Sequence, residues 1–302
     1  MPQNLVGVDC LNEIFEHLEN DTATLHSCLL VNRLWCQVAV RILWRNSKYY
    51  SIRSIRTLLG CLTNESKERL RENGIIVSTP TSSLSVSNYA PFLSVKYVYD
   101  KIEQLFYPSR KVIISTSTSK PPMFNYASFC KVLSISDVYF TNISKLILQQ
   151  STPSQNLNRM TIIIEQEIYK LFMSQISSLK RLNIYGSKNG LIITTYPGAE
   201  NSLKNLSELR CGTSMIHSEF FYQLSQICHN IQTLELRIDH IIFDELTDLI
   251  SVQRSLKCLK LSYYNFRRYR YRYMENIISS LMKKSNHNSL IKFSMDSNQY
   301  VS

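Results

Sequence analysis

The densest run of side chains able to do chemistry is Arg267-Arg268-Tyr269-Arg270-Tyr271-Arg272-Tyr273. A guanidinium forks onto carboxylates and phosphates, and a tyrosine ring packs or stacks. Interleaved, they suit an acidic protein surface or, as the alternative, single-stranded nucleic acid whose bases stack on the rings. The chemistry of turnover is not written in the chain. Seven glycines leave no GxGxxG and no Walker loop. The six histidines form no HExxH and have no cysteine at metal-ligand spacing. No GxSxG occurs, and carboxylates are scattered. The expectation is a binding protein, not an enzyme, with no cofactor and no metal.

Composition sets the frame. Of 302 residues, 44% are apolar, enough for a sizeable core. The net charge is +11 and uneven. Residues 1–47 hold Asp9, Glu13, Glu16, Glu19 and Asp21 against Arg33, Arg41 and Arg45, so they carry −2 and the rest carries +13. A basic body points to an acidic partner or simply to solubility. Eight dispersed cysteines without a CxxC pair fit buried reduced thiols. With no basic-then-apolar leader and no long apolar run, the expected location is cytoplasmic and/or nuclear, away from membranes.

Hydrophobic spacing shows which elements must position the binding residues. Leu11, Ile14, Phe15 and Leu18 recur at i, i+3, i+4 and i+7, which predicts a helix with Asp9 as its cap. After a break at Glu19-Asn20-Asp21, with Asp21 a second cap, Leu25, Cys28 and Leu29 form a short apolar face. Leu34, Trp35, Val38, Ala39 and Ile42 form a third, ending at Leu43-Trp44. Three short helices bury too little surface to stand alone. They must lean on downstream sequence, on a partner, or on both.

The stretch CLNEIFEHLENDTATLHSCLLVNRLWCQVAVRILWR resembles an F-box over roughly residues 5–47. That family shows an Ile-Phe-x-x-Leu helix, an acidic turn, a Leu-Val-x-x-x-Trp step and a closing Leu-Trp. Ile14-Phe15, Leu18, Asp21, Leu25, Cys28, Leu30-Val31, Trp35, Ala39 and Leu43-Trp44 match in order and spacing. The family usually opens with Leu-Pro, where this chain has Val6-Gly7. The resemblance implies a Skp-type adaptor as partner, linking the chain to a cullin–RING ubiquitin ligase. It implies adaptor contact by Val6, Cys10, Leu11, Ile14, Phe15, Leu18, Leu25, Leu29, Val31 and Trp35. Phe15 and Trp35 read more readily as core than as contact.

Two kinds of repeat follow. Residues 75–95 and 112–132 repeat at an offset of 37, with Ile76/Ile113, Ser78/Ser115, Asn88/Asn125 and Tyr89/Tyr126 among the identities. Each copy reads as a strand, a Ser/Thr/Pro turn and an aromatic stretch. Further on, a Leu-x-x-Leu-x-Leu rhythm starts at Leu179, Leu206, Ile231, Leu256 and Leu290, with helical faces between. Strand plus helix at such a period resembles leucine-rich repeats, here without the usual Asn or Cys of the repeat turn. Stacked repeats bury one another's apolar faces.

The expected fold is therefore α+β: an N-terminal three-helix F-box at 1–47, then a leucine-rich-repeat-like α/β solenoid at 48–302. Within the latter, 75–135 holds the repeat pair and 160–302 the clearer array. An ordinary α/β sandwich is the alternative. The expected function is substrate recognition in a Skp–cullin–F-box ligase; a nucleic-acid-binding protein or a scaffold without a ligase role is the alternative. The target would meet side chains that alternate with the buried leucines: Arg181, Tyr185, Arg210, Glu235, Arg237 and Lys260. The last two strand starts are 34 apart against 25 before, so residues 265–273 read as an insert, adding Arg267, Arg268, Arg270 and Arg272 to the target face.

Overall fold

The structure, a computed structural model, describes residues 5–78, 112–116, 122–149, 156–185, 193–213, 216–238, 244–264, 277, 279, 281 and 290–298. The fold mixes helix and strand, as α+β requires. The chain divides into two compact units, and the boundary expected at residue 47 is not where they part. The first unit joins 1–50 to 125–139 and 169–302; the second comprises 51–124 and 140–168.

The first unit opens with α1 (Leu5–Glu16), α2 (Thr22–Cys28) and α3 (Arg33–Leu43). Helix α1 starts earlier than expected. Asp9 lies inside it rather than at its cap, because the single weak helix former Gly7 does not break the run. Asp21 does cap α2, accepting from the Thr24 N–H at 3.0 Å, and Asn32 caps α3 through the Trp35 N–H at 2.9 Å. Leu11, Phe15, Leu25, Cys28, Val38, Ala39 and Ile42 make the core, with Leu18, Leu29, Trp35 and Leu43 packed against it. Glu16 at the end of α1 takes a forked ion pair from Arg45, just beyond α3. That pair holds the Glu16 carboxyl below its ordinary pKa.

The sheet of this unit has six parallel strands in chain order: β3 (Val132–Ser136), β4 (Arg181–Tyr185), β5 (Glu208–Gly212), β6 (Thr233–Ile238), β7 (Cys258–Tyr264) and β8 (Lys292–Asn298). Parallel neighbours need a crossover between them. Helices α8 (Ala199–Leu203), α9 (Ser218–Ile227) and α10 (Asp244–Ser251) supply three of these. One rule repeats at each strand entry: a single carbonyl accepts two consecutive N–H groups of the next strand at 2.8–3.1 Å. Arg45 serves Lys131 and Val132; Lys131 serves Lys180 and Arg181; the pattern continues through Lys180, Ser207, Gln232 and Lys257. The three-helix segment thus enters the ladder as its first rung. Asn46 bridges Val132, and the Ser47 hydroxyl accepts the Ser134 N–H at 2.7 Å. Trp44 packs its ring 4.5 Å from Tyr126 and 4.9 Å from Tyr50. No linker separates the three helices from the sheet, which is why the boundary fails there.

The array also begins one repeat earlier than the expected residue 160. Cys130, Leu133 and Ile135 hold the same offsets as Leu179, Leu182 and Ile184, and all are buried. So are the corresponding residues of β5, β6 and β7. At β8 the pattern opens, and Phe293 is exposed. Polar side chains stitch each repeat to the one before. The Ser202 hydroxyl donates to the carbonyls of Met173 and Ile176, the Cys228 thiol to that of Leu203, and the Gln253 amide to that of Cys228.

The second unit contains α4 (Ile52–Cys61), α5 (Asn64–Glu72), β1 (Ile75–Ser78) and β2 (Val112–Ser115). Strands β1 and β2 pair in parallel, Ile75 with Val112 through Ser78 with Ser115. That register is the 37-residue offset of the internal repeat. The Ser/Thr/Pro turns of both copies and the aromatic stretch of the first lie outside the described residues. Helices α6 (Asp137–Leu148) and α7 (Leu157–Gln175) each contribute to both units. Inside the second, buried Glu167 of α7 pairs with Arg69 of α5 at 3.3 Å.

Candidate functional site

Two surfaces of the first unit carry the residues singled out above. The three-helix segment sorts its apolar side chains into two sets. Phe15 is 1% exposed, its ring edge-on to Trp35 at 5.2 Å; Leu25 and Leu11 are buried beside it. Leu18, Leu29 and Trp35 are partly buried. Phe15, Leu25 and Leu11 belong to the core, and Leu18, Leu29 and Trp35 pack against it. The side chain of Val6 lies outside the described residues. Cys10 is exposed, as are Ile14 at 58% and Val31 at 55%.

Two more apolar residues are exposed that the sequence did not place among the adaptor contacts: Leu30 at 88%, part of the F-box match, and Leu34 at 38%, expected on the apolar face of the third helix. Leu30 and Val31 form the turn that leads into α3, and Leu34 sits in its first turn. A signal for Leu34 was present. It shares its helix face with Gln37 and Arg41, three and seven residues on and both exposed, while Trp35, Val38, Ala39 and Ile42 take the core face. Ile14 likewise lies on the flank it shares with exposed Cys10 and His17. Leu30, Val31 and Leu34 fall within five residues of chain, and clustered exposed apolar groups, rather than single ones, mark interaction sites.

The second surface is the sheet face opposite the buried leucines. Here the register sets Arg210, Glu235 and Lys260 side by side on β5, β6 and β7. Arg181 and Glu208 stand in the neighbouring row on β4 and β5. Their charges form a chain: Arg181 to Glu208, Glu208 to Arg210 at 2.5 Å, Arg210 to Glu235 at 3.6 Å and Glu235 to Lys260 at 3.7 Å. The ladder satisfies itself, as opposite charges on adjacent strands favour. Beside it, the Arg237 guanidinium lies 6.0 Å from the centre of the Tyr185 ring. Burial, then the nearby Glu235 carboxylate, pushes the Tyr185 hydroxyl up to about 12. The structure therefore brings Arg181, Tyr185, Arg210, Glu235, Arg237 and Lys260 together on one face. Arg267, Arg268, Arg270 and Arg272 lie outside the described residues, as does the whole proposed insert.

Among the described residues, no group of three His, Cys, Asp or Glu side chains could hold a metal ion, and no helix is long and apolar enough to cross a membrane. Comparison with protein-family models and with curated proteins finds no match to this chain.

Proposed function

We propose that this chain is the substrate-recognition subunit of a Skp–cullin–F-box ubiquitin ligase. Residues 1–47 act as the F-box that docks a Skp-type adaptor, and the strand–helix array acts as a leucine-rich-repeat-like solenoid that selects a target protein. The chain positions the target while other subunits do the chemistry. The observation that carries the reading is the set Ile14, Leu30, Val31 and Leu34, left in water on a helical unit whose own core is complete without them. Burying Leu30 on a partner would contribute about 1.5–3 kcal/mol, and the other three, already partly covered, would each contribute less. The backbone ladder from Arg45 onward supports the second half, since it ties the docking helices rigidly to the array. A target held by the array would then stand at a fixed place relative to the adaptor. The self-paired charges of the sheet face give target contact a modest electrostatic share there, with Tyr185 and Arg237 the better candidates.

The test is capture of a tagged full chain from cells, beside an Ile14→Asp variant. Because Ile14 is exposed, the substitution leaves the helices folded. Adaptor recovery with the native chain and its loss with the variant is the expected result. Equal recovery from both would remove the assignment.

A further inference from the structure

Between the three helices and the entry to β3 lies a cleft of about 370 Å³, near the lower limit for a small-ligand site. Its charge is unlike that of the segment that builds most of it. Residues 1–47 carry −2, yet two of their three bases, Arg41 and Arg45, line this cleft, and Lys131 adds a third cation. Glu16 is the one carboxylate in the lining, and the forked pair with Arg45 occupies it. Two cations are left over. Arg41 is exposed, and neither its guanidinium nor the amide of Asn12 has a hydrogen-bond or ion-pair partner among the described residues. Lys131 spends one of its three N–H donors on the Ser178 carbonyl at 3.3 Å. Ile42 and Phe129 give the cleft an apolar wall.

Two uncompensated cations, an unused amide and an apolar wall call for a dianion on an apolar body. We propose that this cleft binds a phosphate monoester, with Arg41 forking onto the phosphate, Lys131 supplying the second charge and Phe129 packing the ester group. A monoester is dianionic above about pH 6, which matches the two free charges; a carboxylate brings one. The proposal does not depend on adaptor docking.

The test uses the full chain and calorimetric titration in low salt, with phenyl phosphate, benzoate and a phosphoserine peptide as probes. Phenyl phosphate should saturate one site with a Kd of about 1 mM or below. Arg41→Ala and Lys131→Ala should each weaken it about tenfold, the usual loss for a charge-assisted contact. Asn12→Asp should weaken it as well, by placing a carboxylate in the lining. Arg33→Ala removes an exposed charge of the same segment that does not line the cleft, and should change nothing. If the peptide binds more tightly than phenyl phosphate, the monoester belongs to a modified protein; if less tightly, to a small molecule. Either order upholds the site. Absence of saturable phenyl phosphate binding, equal binding of benzoate, or an equal loss in Arg33→Ala would overturn it.

Discussion

Replacing Gln253 with leucine should unpick one stitch of the array. The Gln253 side chain is fully buried. Its amide nitrogen donates to the carbonyls of Cys228 at 2.7 Å and Leu249 at 2.8 Å, and its oxygen accepts the Ile231 N–H at 2.8 Å. Leucine fills nearly the same volume, so the cavity contribution is small. The polar loss is not. The Leu249 carbonyl belongs to α10, the Cys228 carbonyl and Ile231 N–H to the connection before β6, and the last two lose a partner to which water has no access. Each buried group so stranded costs about 1–3 kcal/mol, giving about 2–6 kcal/mol in all. With a urea dependence of about 2–3 kcal/mol/M, the unfolding midpoint should fall by about 1–3 M. Hydrogen exchange at the Ile231 amide should accelerate in step, which ties the loss to this contact. Gln37→Ala, at an exposed site of α3, should stay within about 0.5 kcal/mol of the native chain. A Gln253→Leu protein as stable as the native one, with the Ile231 amide still protected, would refute the stitching argument.

Three further outcomes follow from the same geometry. Glu235→Lys places a cation between Arg210 and Lys260, so stability should fall by about 1 kcal/mol in low salt and recover in high salt, read by urea unfolding at the two ionic strengths. Burial raises the thiols of Cys130 and Cys228 to about 12, and the Tyr185 hydroxyl to about 12. A raised pKa favours the neutral form in the folded state, so this stabilisation is complete below the ordinary thiol value near 9 and is lost as pH rises towards 12; the melting temperature should drop across that window. In the native protein, mass-mapped alkylation should mark exposed Cys10 first, while buried Cys28, Cys130, Cys211 and Cys228 react only on unfolding.

Period and offset carried much of the fold. The Leu-x-x-Leu-x-Leu spacing located β4 to β8, because a parallel sheet buried on one face must repeat its apolar pairs. The register of β1 on β2 equals the 37-residue offset of the internal repeat, although the repeat alone did not say that its two copies pair. What escaped was whatever depends on contacts distant in sequence. Cys130 in the first leucine place hid the repeat that forms β3, although a small buried thiol fills the same position. The joint at Arg45 to Ser47 was illegible, since it consists of backbone hydrogen bonds and one Ser47 hydroxyl contact to residues 131–134, which leave no periodic side-chain pattern. For the candidate site, periodicity named the apolar face of α1 but could not divide it. Phe15 and Leu11 turn inward while Ile14, on the flank, stays in water. Leu30 and Val31 sit in a turn, where no period applies, and their exposure emerges only once α2 and α3 have packed. On the sheet, alternation identified the outward residues, and register then paired Arg210 with Glu235 and Glu235 with Lys260. The run at 267–273 lies outside the described residues, so its role rests on its composition.

On the proposed function, exposed apolar side chains of the three-helix segment dock a Skp-type adaptor. The direct measurement is the affinity of purified adaptor for the immobilised full chain, compared across the native protein, Leu30→Ala, Ile14→Asp and Ile113→Asp. Ile113 is exposed on β2, outside residues 1–47, and serves as the control. Binding should weaken at least about tenfold in Leu30→Ala, from the loss of about 1.5–3 kcal/mol of apolar burial, disappear in Ile14→Asp and stay unchanged in Ile113→Asp. Adaptor that fails to bind the native chain, or that binds all four proteins alike, would contradict it.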